Sequence, residues 1–143
     1  MMAQQPSPTP AAPRPLPQPS LDNEEWWAGL RRHELLVQEC PDCGKLTHLP
    51  QPMCPACRSL NRSWRRSTGK GKVYSWVVLH RPSHPYFADK VPYPVVLVEM
   101  EEGFRVVGNI DWPHDKLREG LPVEADFEDV SEEVSLLRFR VVQ

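Results

Sequence analysis

The sequence predicts a mainly β protein in two parts, a short helix leading into a small cysteine-stapled ribbon and then a five-stranded barrel. Three observations carry that prediction: four cysteines set as two Cys-X-X-Cys pairs, a change after Gly69 to segments rich in valine and aromatics, and a break between the third and fourth of those segments. A chain of 143 residues has room for one ordinary domain, or for a very small one joined to a modest one. Modules that small bury too little apolar surface to stand without a staple.

Taken in order, residues 1–21 are expected to be an extended, mobile Pro-rich tail or linker. Residues 1–20 hold seven of the 17 prolines, and Leu16 is their one large aliphatic beyond the starting methionines, so ordering them would not be repaid by burial. Asp22 followed by Glu25 has the spacing of a capping box, which predicts a short helix over about Asn23–Arg32 with Trp26, Trp27 and Leu30 as its apolar residues. The two tryptophans must pack on something, either the chain's own ribbon or a partner, where tryptophan is a frequent anchor. Leu35–Val37 lead into the first cysteine pair, and Arg62–Ser67 is predicted as a strand leaving the ribbon, so residues 22–67 form the helix and ribbon. Residues 68–143 carry five predicted strands: Val73–His80, Pro94–Met100, Arg105–Asp111, one in which Val123, Ala125 and Phe127 alternate with acids, and Leu136–Val142. A helical turn around His114–Glu119, ended by Gly120, separates the third from the fourth. Five strands broken there suit a Greek-key barrel of the OB type, whose closure removes exposed edges.

The cysteine pattern is Cys40-Pro41-Asp42-Cys43, ten intervening residues, then Cys54-Pro55-Ala56-Cys57. Two residues between cysteines let a tight turn aim both thiolates at one point about 2.3 Å away, and two such knuckles complete a tetrahedron. Two disulfides, an iron site and a redox pair compete, but doubled spacing points to one structural zinc in a rubredoxin-like ribbon. The loop between pairs is shorter than the usual fifteen to twenty or so residues, which predicts a stunted ribbon of two short hairpins. Gly44 suits the left-handed turn after the first knuckle. Arg58 holds the equivalent place in the second, which must be strained or differently shaped.

A zinc with four sulfur ligands has no open position for catalysis. The chain also lacks a Gly-X-Ser-X-Gly elbow, a phosphate-cradling glycine loop and a helical His pair; His80 and His84 flank a proline-rich loop and could act as acid or base with Glu99, but most such histidines are solvated or hydrogen-bonded loop residues. No catalytic residue is expected. No apolar run approaches the roughly 20 residues of a membrane helix, and no leader pattern opens the chain, so a cytoplasmic protein is expected. The net charge of −2 hides a division: Arg31–Lys72 has nine Lys or Arg against three acids, whereas Val73–Gln143 has seven against thirteen. An anionic ligand is drawn to the first half. The competing reading of such a barrel is a single-stranded nucleic-acid-binding module with Tyr74, Trp76, Phe104 and Trp112 as stacking platforms, and it is disfavoured because Glu99, Glu101, Glu102 and Asp111 stand against Arg105 alone on the second and third barrel strands.

The twin knuckles followed by Gly69-Lys70-Gly71-Lys72-Val73-Tyr74-Ser75, then Pro92-Tyr93, Val98-Glu99, Glu102-Gly103, Gly108-Asn109 and Phe139-Arg140, resemble the DUF35 family over about Glu24–Val142. Arg58 in place of a common glycine and the Pro-rich head depart from its pattern. The resemblance implies a zinc-ribbon and OB-fold accessory subunit of thiolase-like enzymes acting on acyl-CoA, among them thiolases, acyltransferases and steroid side-chain aldolases. Modules of this family also occur fused to hydratase-like domains. In such a role Arg62, Trp64 and Arg66, on one face of a strand, with Lys70 and Lys72 after it, would meet the phosphates and adenine of CoA. The alternative is that they are solvated charges around a buried tryptophan. The loop His80–Pro94 displays Tyr86, Phe87 and Tyr93 among four prolines. It serves either as a partner surface or as a lid on the barrel. Scaffolding without substrate contact remains a third reading.

Overall fold

The computed structural model describes residues 13–142. Most of the expected Pro-rich tail, residues 1–12, lies outside the described residues.

Helix α1 spans Glu24–Arg31. The expected capping box does not form. Asn23 is the cap residue and its side chain accepts from the Ser20 N–H at 2.6 Å, while Asp22 turns to Arg62 at 3.6 Å and Glu25 to Arg32 at 3.5 Å. The helix ends in a Schellman arrangement: His33 adopts φ 60°, its N–H reaches Leu30 O at 2.9 Å, and Glu34 N–H reaches Gly29 O at 2.9 Å. That turn reverses the chain into the ribbon.

Strands β1 (Leu36–Glu39), β2 (Leu46–Thr47) and β3 (Ser63–Arg66) form an antiparallel sheet in the order β2-β1-β3. Of the two hairpins expected, only β1–β2 carries strand pairing. The second knuckle closes through Cys54 N–H to Ser59 O at 2.9 Å without strands, because Pro50, Pro52 and Pro55 withdraw the donors a ladder needs. The chain then returns as β3 on the other side of β1.

The five predicted strands are β4 (Lys70–Leu79), β5 (Tyr93–Met100), β6 (Arg105–Ile110), β7 (Pro122–Asp129) and β8 (Ser135–Val141). They close into a barrel ordered β4-β5-β6-β8-β7, with β6 and β8 parallel and the other pairs antiparallel. A 3-10 turn at His114–Lys116 stands between β6 and β7, as the Gly120 stop suggested. Strand β4 begins three residues earlier than expected because Lys70–Lys72 pair with Pro122–Glu124 and so close the barrel.

Inside lie Val73, Val96, Val98, Val106, Val123 and Phe139, each 1% exposed or less. Gly108 belongs to this packing, since a Cβ there would lie 2.7 Å from the Phe139 ring. The same cluster takes in Trp26, Leu30, Leu35 and Val37 from the helix and β1. One core therefore crosses the boundary read between residues 67 and 68. The link there is pinned by Ser67 N–H to Leu35 O at 2.8 Å, Ser67 Oγ–H to the Glu102 carboxylate at 2.9 Å, and Thr68 N–H to that carboxylate at 2.7 Å. Among the described residues no helix is long and apolar enough to cross a membrane.

Candidate metal centre and partner-binding surface

Both knuckles use the same backbone bonds. Cys40 N–H binds Lys45 O at 3.0 Å and Gly44 N–H binds Cys40 O at 2.8 Å; Cys54 N–H binds Ser59 O and Arg58 N–H binds Cys54 O, each at 2.9 Å. Gly44 has φ 77° and Arg58 φ 64°, so the second turn keeps the shape of the first, with a left-handed arginine. The result brings Cys40 Sγ within 3.6 Å of Cys57 Sγ and Cys43 Sγ within 3.6 Å of Cys54 Sγ, with all four sulfurs inside 4.8 Å. Four sulfurs each about 2.3 Å from a zinc stand roughly 3.8 Å apart in a regular tetrahedron, so this donor set fits one zinc ion. Cys40 and Cys54 are buried, whereas Cys43 and Cys57 face outward. The four thiols pull against one another: N–H donation from Cys57 and Ala56 lowers Cys54 to about 6, while desolvation and the neighbouring sulfurs push Cys57 up to about 12, a crowding of sulfurs that a bound cation relieves. With four sulfurs the ion completes the fold of the ribbon and leaves no vacant ligand position.

Two supports were not singled out in the sequence. Asp42, inside the first knuckle, accepts from Ser59 Oγ and from Asn61 Nδ2 beyond the second, which ties the knuckles together and holds its carboxyl below its ordinary range. Gln38 is 4% exposed and grips Gln51 at both backbone groups, donating to its O at 2.9 Å and accepting from its N–H at 2.7 Å. That clamp fixes the passage between knuckles. A glutamine straight after Leu35-Leu36-Val37 was the only signal.

The anion candidates fall into separate places. Arg62 packs over Trp64, 5.7 Å from ring centroid, and donates to Asp22 O at 2.6 Å. Arg66 is largely exposed and pairs with Glu34 at 3.8 Å. Lys70 and Lys72 line a cavity of about 450 Å³ with Gly71, Tyr74, Glu99, Glu101 and Glu119, at the seam where β4 passes from β5 to β7. Arg105 lies over Tyr74 at 3.7 Å and donates to Glu99 at 3.4 Å.

The candidate partner residues also divide. Trp26 is 8% exposed and belongs to the core, its ring edge-on to Trp27 at 4.8 Å, so of the two places open to it, its own fold or a partner surface, its ring takes the first. Trp27 packs partly buried against that core beside Leu49 and Pro50. In the loop after β4, His84 Nδ1 accepts from Tyr86 N–H at 3.1 Å and starts a 3-10 turn over Pro85–Phe87. Phe87 then sits edge-on to Tyr86 at 5.0 Å and stacks on Tyr93 at 5.6 Å. Tyr93 continues directly into the outer barrel face. Register places Leu79 opposite Tyr93, Val77 opposite Val95 and Leu97 opposite Val107. These positions alternate with the inward Val96, Val98 and Val106. Val77 is 60% and Val107 58% exposed, and Tyr93, Val95 and Leu97 between them are half-buried, so the middle of this outward face is apolar, edged by Ser75, Glu99, Arg105 and Asn109.

Residues 27–61 match the family described as the ChsH2 rubredoxin-like zinc ribbon domain, and residues 64–128 match the ChsH2 C-terminal OB-fold domain. A DUF35 domain-containing scaffold protein of Methanothermobacter thermautotrophicus is 35% identical over 105 residues, covering 72% of this chain and 78% of that protein. The chain belongs to the DUF35 family. A probable enoyl-CoA hydratase alpha subunit of Thermomonospora curvata is 39% identical over 132 residues, 92% of this DUF35 chain but 41% of that protein. The chain thus spans about two fifths of the hydratase subunit it matches. Among solved structures, a chain of the "Ltp2-ChsH2(DUF35) aldolase" superposes with a TM-score of 0.80 at 38% identity, covering 88% of this chain and 98% of that one. This chain's four-cysteine ribbon and closed barrel thus correspond to the zinc ribbon and OB-fold domains that those family models describe.

Proposed function

We propose that this chain is a non-catalytic DUF35 subunit or module that docks onto a thiolase-superfamily enzyme, an aldolase foremost, and helps it hold an acyl-CoA substrate. The observation that carries the docking is the apolar outer face of β4–β5–β6. A half-exposed antiparallel strand ordinarily alternates apolar and polar residues. The run Val95-Val96-Leu97-Val98 instead suits burial on both sides, and the barrel core supplies only one. A second protein covering Val77, Val107 and the Phe87–Tyr93 stack would supply the other. Support comes from the aldolase and scaffold names of the similar proteins and from the hydratase subunit name, which is compatible with a hydratase-like partner or fused domain.

The substrate part of the proposal rests on Lys70 and Lys72 at the 450 Å³ cavity where β4 passes from β5 to β7. Glu99, Glu101 and Glu119 line the same cavity, so the two lysines alone do not make it an anion site. A phosphate held there needs cations from the partner as well. The test is copurification from the native host with the partner identified by mass. Phe87→Ala with Tyr93→Ala breaks the complex while one zinc per chain is kept; an intact complex in that variant rejects this surface. In the complex, Lys70→Ala with Lys72→Ala raises the partner's KM for acyl-CoA about tenfold or more, at roughly 1–3 kcal/mol per charge-assisted contact. An unchanged KM reduces the role to scaffolding.

A further inference from the structure

We infer that the groove between the Tyr86–Phe87–Tyr93 cluster and β7 is a binding site for an arginine flanked by prolines, held in cis by this chain's own Pro13-Arg14-Pro15. Arg14 is the only Lys or Arg before Arg31. Its side chain is 21% exposed, its Nη1 donates to Glu128 Oε1 at 3.1 Å, and its guanidinium carbon lies 5.6 Å from the Tyr86 ring centroid. The groove encloses about 280 Å³, with Phe87, Tyr93 and Ile110 as apolar walls. Two other cations border it: Lys90 pairs with Asp89 at 3.2 Å and lies over the Tyr86 ring at 4.0 Å, so it shares that aromatic face with Arg14, while Arg138 pairs with Asp126 at 2.9 Å; of the acids on the wall, Asp111 and Glu128, it is Glu128 that Arg14 engages.

The prolines make Arg14 a suitable ligand. Pro13, Pro15, Pro17 and Pro19 have no N–H and a fixed φ, so this segment cannot enter a helix or a sheet ladder and stays extended at little entropic cost. Extended proline segments are recognised by aromatic-lined grooves through side chains between the prolines. An exposed ion pair alone contributes little. Here the guanidinium adds an aromatic face and a carboxylate inside one groove. Arg14 lies ten residues before α1, so the strap's effective concentration at the groove is of millimolar order and an intrinsic dissociation constant of about that size or lower seats it for half of the time or more. The inference stands independently of the partner proposal. Because the groove includes Tyr86, Phe87 and Tyr93, a partner occupying them would have to displace the strap.

The experiment uses zinc-loaded full-length chain and NMR resonances of Tyr86, Phe87 and Tyr93. Arg14→Ala and a chain lacking residues 1–19 move the same resonances in the same direction. A peptide of residues 12–18 added to the shortened chain moves them back, with a dissociation constant near millimolar. Glu128→Gln weakens that peptide by about threefold or more. Unmoved aromatic resonances in both altered chains overturn the inference, and so does a peptide with alanine for Arg14 that binds equally well.

Discussion

Arg58 holds φ 64° in a turn whose counterpart, Gly44, holds φ 77°. A side chain in the left-handed region costs roughly 1 kcal/mol, part of which glycine gives back through its freer unfolded chain. Arg58→Gly is therefore expected to stabilise the ribbon by about 0.5 kcal/mol, read as a raised thermal midpoint with unchanged zinc content. His48 acts in the opposite sense. It lies between Trp26 and Phe104, with ring centroids 5.5 and 6.5 Å away, its Nδ1 is buried without a hydrogen-bond partner, and desolvation lowers its pKa from 6.5 to about 4. The unfolded chain binds a proton at His48 before the folded one does, so stability is full above pH 6.5 and is lost as pH falls towards 4. The loss amounts to at most about 3 kcal/mol. Urea unfolding at saturating zinc across that window shows the slope, and His48→Gln flattens it whatever its effect on the plateau.

At the scale of elements, β5 and β7 illustrate two kinds of strand. On β7, Glu124 and Asp126 point outward to Arg140 and Arg138 directly across the ladder, the alternation of a sheet facing water. On β5 the outward residues are Tyr93, Val95 and Leu97, flanked by the exposed Val77 and Val107. Val107→Asp or Val77→Lys should change stability by no more than about 0.5 kcal/mol, since exposed substitutions seldom do more. The same variants should fail to copurify with the partner enzyme. A complex that survives both charges would place the interface elsewhere.

For the molecule as a whole, the core shared by α1, β1 and the barrel couples the metal to everything else. Structural zinc can supply on the order of 10 kcal/mol or more. Removing it lets the knuckles open, and with them Leu35 and Val37, which are 2% and 0% exposed against barrel residues. Chelation is expected to lower the barrel's stability along with the ribbon's, seen as one broad loss of tryptophan environment and near-ultraviolet dichroism. Cys40→Ser should reproduce it. A barrel that melts unchanged after chelation would mean that the two parts are energetically separate.

The metal ligands, the five barrel strands and the break after the third were legible because each rests on local rules: two-residue knuckle spacing, period-two or all-apolar strands, and turn glycines. Local rules also placed Gly44 and marked Arg58 as an anomaly. Tertiary structure decided the rest. Asp22 left the helix cap for Arg62, Trp26 went into the core, and Gln38 and Asp42 became clamps through partners 13 to 19 residues away. Arg14 found Glu128 across 114 residues. Of the basic residues in Arg62–Lys72, Arg62 turned to Asp22 before α1 and Arg66 to Glu34 after it, whereas Lys70 and Lys72 came to share a cavity with Glu99, Glu101 and Glu119. Sequence spacing determines what neighbours along the chain can do together, whereas the choice among alternative partners for a charge or an indole depends on which surfaces folding brings face to face.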